Sequence, residues 1–286
     1  MITQIQLKYD RAKNGSFYLP IGTYESGYLF NKLSGFDFPE AQVDVKSRGN
    51  YYGAQLGNYN YGRRILTVEG EIIAQNTADF ESLRKELLEA LAFPNGLKDI
   101  IITTREGLEL TASVILNSRP DIPYQKGKMV RADFHFELVA PFPFLLSTTE
   151  KMDTAEVYGG GGGAVPMGLP FAMAAGASNA LEIENEGNVA SFPTIRIYGA
   201  AENPSIQNET TGETLSFTYT LGSDDYIDID IFNRTAILNG ATNIMQYVAG
   251  DWFKIDPGVN IIKLTGTNTN ANAKAEITWR DAYMGI

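Results

Sequence analysis

The sequence predicts a mainly β protein of two domains, an N-terminal β-domain with one α-helix and a C-terminal antiparallel β-sandwich. Three observations predict it. Short runs alternate apolar and polar residues along most of the chain, as in Arg64 to Ile73, where Leu66, Val68 and Ile72 fall on one side. A single stretch, Ala78 to Ala92, switches to helical spacing. A pure glycine run, Gly159 to Gly163, divides the chain near its middle.

The elements follow in order. Met1 to Tyr9 places Ile5, Leu7 and Tyr9 in alternation and reads as a strand; it lacks the basic start and apolar block of a signal peptide. In the helix, Phe80, Leu83, Leu87 and Leu91 recur three and four residues apart, behind Asn76 or Thr77 as N-cap and with Asp79 and Glu81 in the first turn. Pro94-Asn95-Gly96 stops it. Lys98 to Thr104 and Leu108 to Leu116 form a hairpin across Arg105-Glu106-Gly107. In Val130 to Val139, Val130, Ala132, Phe134, Phe136 and Leu138 face one way and Arg131, Asp133, His135 and Glu137 the other.

The expected division is residues 1–150 for the first domain, a Gly/Ala/Pro-rich linker at 151–178 and the sandwich at 179–286. Besides the glycine run, the linker contains Pro166, Gly168, Pro170 and the small-residue tract Ala172 to Ala177. No Gly-Lys-Ser/Thr follows the glycines, so they do not read as a phosphate-cradling loop. Beyond Leu181 the recognisable segments are all strands: Thr194–Tyr198, Leu215–Tyr219, Tyr226–Phe232, Thr235–Leu238, Ile244–Val248, Val259–Leu264 and Ala273–Trp279. Asn239-Gly240 and Asp256-Pro257-Gly258 supply turns between them.

Composition narrows the function. The chain has 286 residues and a formal charge of −11, which opposes binding to a phosphate backbone; no nucleic-acid partner is expected. The longest uncharged stretch, within Val157 to Glu182, is broken by glycine and proline, so no membrane insertion is expected either. There is no cysteine, which excludes a thiol nucleophile, an iron–sulfur cluster and a Cys-based zinc site.

Candidate chemistry is sparse. His135 is the only histidine and lies on a polar strand face. Asp224, Asp225, Asp228 and Asp230 form the densest acidic group, but Asp228 and Asp230 alternate with Ile227, Ile229 and Ile231 as on any half-exposed strand. The spacing and glycine of a helix-loop-helix calcium site are absent. The sequons Asn208-Glu209-Thr210 and Asn233-Arg234-Thr235 read as turns, and Trp252 and Tyr247 as core aromatics. No catalytic residue, cofactor or metal site is therefore assigned.

One composition is unusual. Tyrosine and glycine recur in Gly49 to Gly62 and in the earlier Tyr24 to Phe38, and Gly49 to Gly62 is too glycine-rich for a core and too aromatic for an ordinary solvated loop. Tyrosine offers broad amphipathic contact at low entropy cost, so Tyr51, Tyr52, Tyr59 and Tyr61 are the candidate protein-interface residues, on what reads as a long loop.

In their order along the chain these features resemble the distal tail proteins of siphophages infecting Gram-positive bacteria. The first half carries the likeness in Gly35-Phe36-Asp37-Phe38-Pro39-Glu40, the Tyr52-Gly53 loop, Arg64 to Ile73 and the Phe80 to Leu91 helix. The second carries it in Asn203-Pro204-Ser205-Ile206, Thr210-Thr211-Gly212-Glu213, Asp228 to Leu238 with Asn239-Gly240, Pro257-Gly258-Val259-Asn260 and the closing Ile277-Thr278-Trp279-Arg280-Asp281-Ala282-Tyr283. The resemblance implies a homohexameric ring built by the N-terminal domains, with galectin-like sandwiches projecting outward. It implies a virion protein of the tail tip, in a phage or prophage, assembled in the host cytoplasm. The implied partners are further copies of the chain, the major tail tube protein, the tail-associated tip protein and, in some members, a receptor-binding protein. No domain-sized insertion of the kind that carries a sugar-binding module is visible. A carbohydrate-binding module for host attachment is the alternative reading, and a glycoside hydrolase using two of the acidic residues is a third.

Overall fold

In the computed structural model, residues 1–11, 15–92, 96–123, 130–157, 180–269 and 272–286 are described. The expected linker's glycine run, Pro166, Gly168, Pro170 and Ala172 to Ala177, and Pro94 and Asn95 of the helix stop, lie outside these residues. The chain forms two compact units, Met1–Thr148 with Tyr283–Ile286, and Thr149–Ala282.

The first unit contains β1 (Ile2–Arg11), β2 (Gly15–Ile21), β3 (Tyr28–Ser34), β4 (Ala41–Ser47), β5 (Ala54–Tyr61), β6 (Arg64–Ile73), α1 (Thr77–Ala90), β7 (Lys98–Thr104), β8 (Glu109–Leu116), β9 (Arg131–Ala140) and β10 (Leu145–Ser147). Its main sheet runs β2-β1-β7-β8-β9-β6-β3, with antiparallel neighbours. Alternation decides which side is buried. Leu66, Val68 and Ile72 on β6 and Ala132, Phe134, Phe136 and Leu138 on β9 point into one core. Val130 lies just outside β9 and is exposed.

Helix α1 begins where its caps dictate. The Asn76 side chain accepts from the Asp79 amide at 2.9 Å, and Asp79 Oδ2 accepts from the Gln75 amide at 2.9 Å. Phe80, Leu87 and Leu91 are buried, with Leu83 packed beside them, as their spacing predicts. The Tyr28 hydroxyl donates to the Leu83 carbonyl at 2.8 Å and ties β3 to the helix. The last four residues also belong here: Tyr283 and Ile286 pack against this core.

The second unit contains β11 (Lys151–Glu156), β12 (Leu181–Asn185), β13 (Thr194–Tyr198), β14 (Ala201–Asn208), β15 (Glu213–Phe217), β16 (Thr220–Leu221), β17 (Tyr226–Asp230), β18 (Thr235–Leu238), β19 (Thr242–Asn243), β20 (Val248–Gly250), β21 (Gly258–Thr267) and β22 (Lys274–Trp279). Two antiparallel sheets, β11-β22-β13-β17-β18-β19 and β12-β21-β14-β15-β20, close over one shared core, which makes this unit a sandwich.

Three expectations are corrected. Lys151–Glu156 is not the head of a linker: it pairs residue for residue with Lys274–Trp279 as an edge strand. Ile244–Val248 is not a strand either. Met245–Tyr247 forms a 3₁₀ turn that buries Ile244, and the strand starts at Val248. The Gly49 to Gly62 segment is a strand for most of its length, as described next.

Candidate assembly interface

Strands β4 and β5 form a separate two-stranded hairpin, unpaired with the main sheet. Its register places Ala41 opposite Tyr61, Val43 opposite Tyr59, Val45 opposite Leu56 and Ser47 opposite Ala54. Directly opposed residues share a face and successive residues change face. One side of the hairpin is therefore Val43, Val45, Leu56, Tyr59 and Tyr61, and the other is Gln42, Asp44, Lys46, Gln55 and Asn60. A register shift between Val43 and Val45 keeps both strands in phase across Gly57. The aliphatic part of the apolar side is open among the described residues: Leu56 is 65% exposed and Val45 56%.

The four tyrosines flagged by the sequence divide into two pairs. Tyr51 and Tyr52 stand at the tip, where the Tyr51 amide donates to the Arg48 carbonyl at 2.8 Å and Gly53 takes a positive φ of 90°. Tyr52 is fully exposed. Tyr59 and Tyr61 lie at the root, with hydroxyls 2.7 Å apart and rings edge-on at 5.3 Å. The Tyr61 ring meets Phe144 at 5.8 Å, and Phe144 meets Phe142 at 5.5 Å. The sequence reading missed Val43, Val45 and Leu56. Their signal was the alternation Val43-Asp44-Val45-Lys46 ahead of a Gly-Asn turn. Of the earlier aromatic segment, Tyr24 and Phe38 are exposed, whereas Tyr28 is core.

Arg64 closes the root and is almost fully buried, at 1% exposure. Its Nε donates to the Pro143 carbonyl at 2.7 Å, Nη1 to the Gly35 carbonyl at 2.7 Å and Nη2 to the Met284 carbonyl. Burial pulls its pKa down to about 10, against the opposing charge of Asp37.

Asp224 lines a surface depression with Asp225 and Lys274, and the other candidate groups have structural occupations. His135 Nδ1 lies 3.8 Å from Glu69 on the polar face of β9. Asp228 pairs with Arg196, whose guanidinium is thereby held above its usual range. Asp225 accepts from Asn239 Nδ2 at 2.8 Å and from the Gly222 amide at 2.9 Å; these bonds, the Asn239 bond foremost, hold its carboxyl below the usual range. Asp230 accepts twice from Asn233, at 2.9 and 2.7 Å. Asp228 and Asp230 line a shallow depression of about 450 Å³ on the outer sandwich face, with Arg196 and Glu276. Among the described residues no group of three or more acidic or histidine side chains is placed to hold a metal ion, and no helix is long and apolar enough to cross a membrane. Asn208 is buried and donates to the Lys254 carbonyl at 3.1 Å. Trp252 packs against the core, whereas Tyr247, expected in the core, is 38% exposed and meets the Tyr219 ring in a tilted contact at 5.4 Å.

The closing motif has a packing explanation. Trp279 is buried and its indole N–H donates to the Glu184 carbonyl at 3.1 Å. Asp281 is buried and accepts from the Glu186 amide at 3.0 Å. Ala282 lies so close to Gly187 that a Cβ there would fall 1.9 Å from its carbonyl oxygen.

Comparison with known proteins agrees with this architecture. Residues 186–283 match the family described as siphovirus-type tail component, C-terminal domain, and residues 23–132 match the phage tail protein RIFT-related domain. No curated protein matches the sequence significantly. The crystal structure of the Dit protein (gp 19.1) of phage SPP1, titled a paradigm of hub adsorption apparatus in Gram-positive infecting phages, superposes with a TM-score of 0.65 at 12% identity, covering 98% of each chain. Chains of the phage p2 baseplate, in activated conformations with calcium and with strontium, give TM-scores of 0.48 and 0.44 at 12% and 13% identity over 97% of each chain, too low to bear on the fold. The two matched domains lie in the two units in the expected order, and the chain belongs to the siphophage distal tail protein family.

Proposed function

We propose that this tail component acts by assembling into a closed ring through its first unit, joining the tail tube to the baseplate and tip protein of the virion. The observation that carries the reading is the β4–β5 hairpin, whose apolar face leaves Val43, Val45, Leu56 and Tyr59 exposed among the described residues. A lone two-stranded hairpin is marginally stable in water, and exposed strand edges invite pairing with another chain. A second copy of the chain supplies both cover and pairing, and rotational closure satisfies every copy alike. The family resemblance implies six copies. Tyr51, Tyr52, Tyr59 and Tyr61 then serve as contact residues, flanking the aliphatic centre of the interface. The −11 charge suits a conduit that DNA passes without adhering.

Replacing residues 42–60 by a short Gly-Ser turn tests the reading. The expected result is a folded single chain where the parent forms rings. Rings of full stability from the shortened chain would exclude the hairpin.

A further inference from the structure

We infer that Arg64 is the positioning residue that sets the direction of the β4–β5 hairpin, and so determines whether copies can meet in register; this rests on the assembly reading above. The hairpin joins the body of the first unit by two short connections, residues 35–40 on entry and 62–63 on exit, linked where the Gly62 amide donates to the Glu40 carbonyl at 2.8 Å. Arg64 opens the strand that follows the exit. Its guanidinium holds the Gly35 carbonyl at the head of the entry connection and the Met284 carbonyl of the returning C-terminal residues.

Its third bond, to Pro143, reaches the hairpin by another route. Pro143 lies between Phe142 and Phe144, and Phe144 braces Tyr61, which is bonded to Tyr59. One rigid planar fork thus fixes the entry, the exit and the aromatic brace together. Backbone geometry leaves little slack at the entry: Gly35 has a φ of +83°, and a Cβ there would fall 1.8 Å from the Ile65 carbonyl oxygen. A lysine would keep the charge but lacks the fork that reaches three divergent carbonyls.

A merely structural arginine would alter stability without altering where the hairpin points, so the readout is a distance. The chain has no cysteine, and Asn50→Cys at the hairpin tip with Ser82→Cys on α1 gives two exposed positions for nitroxide labels. Measured by pulsed electron resonance in samples diluted with unlabelled chain, the parent should give one narrow distance distribution. Arg64→Lys and, independently, Phe144→Leu, which leaves the guanidinium in place, should each broaden it at least twofold and weaken self-association at least tenfold, with the second unit's unfolding midpoint unchanged. An unchanged distribution in folded Phe144→Leu and Arg64→Lys protein would overturn the inference. Should Arg64→Lys fail to fold, the Phe144→Leu result decides alone. A broadened distribution with undiminished self-association would keep the positioning role and overturn the assembly reading beneath it.

Discussion

The Lys151 ammonium lies 2.8 Å from the buried Asp281 carboxylate, tying the first strand of the sandwich to its closing motif. Asp281 also accepts from the Glu186 amide, so three segments converge on one carboxylate. Burial lowers the Lys151 pKa, but the hydrogen bond and charge of Asp281, with Glu186, outweigh it and raise the value overall. Because the folded value is raised, this contribution to stability is complete below the ordinary lysine range and is lost as pH climbs through the folded value. Lys151→Met strands the carboxylate and should cost about 2 kcal/mol, less than a fully buried pair because Lys151 is partly exposed. Denaturant unfolding of the second unit measures this, and an unchanged midpoint would contradict it.

Gly70 sits at the centre of β6 between β3 and β9, where a Cβ would fall 2.1 Å from the Leu29 carbonyl oxygen and 2.4 Å from the Phe134 ring. Neither a strand backbone nor a buried ring yields cheaply. Gly70→Ala should destabilise the first unit by about 1–3 kcal/mol, read as a lowered thermal midpoint with the second unit's transition in place.

Asp225 gives the pH prediction. Hydrogen bonds from Asn239 and Gly222 depress its folded pKa. Its contribution is therefore present above the ordinary carboxylate range and is lost as pH falls through the folded value. A carboxyl-detected NMR titration should place Asp225 below a free aspartate, and Asn239→Ala should move it upward. A value unmoved by that substitution would assign the shift elsewhere.

On the hairpin, Leu56→Glu changes a side chain that is 65% exposed, so chain stability should stay within about 0.5 kcal/mol of the parent. At the centre of an interface the same change should weaken association by tenfold or more, equal to about 1.4 kcal/mol. Sedimentation over a concentration series separates the two effects.

What the sequence made legible follows from where the determining contacts lie. Strands β6, β13 and β18 and helix α1 emerge from their own periodicity, because one face of each is buried. Strand β14 was missed because Pro204 and the positive φ of Asn203 interrupt its alternation, at the register shift between Glu202 and Ser205. Strand β11, Lys-Met-Asp-Thr-Ala-Glu, has little β propensity and owes its form to Lys274–Trp279, more than a hundred residues away. The β4–β5 hairpin read as a loop because the glycines and asparagines of β5 mask the pairing, leaving the short Val43-Asp44-Val45-Lys46 alternation as its local mark. Arg64 was readable in one respect. It falls in phase with Leu66, Val68 and Ile72, so the alternation that located β6 also pointed this arginine inward.

The mass of the purified chain in solution tests the central claim most directly. At micromolar concentration the account predicts a closed species of about six times the 31.4 kDa chain, collapsing to single chains when residues 42–60 are replaced. A particle that stays at the mass of one chain at high concentration, and captures neither tail tube nor tip protein, would contradict it.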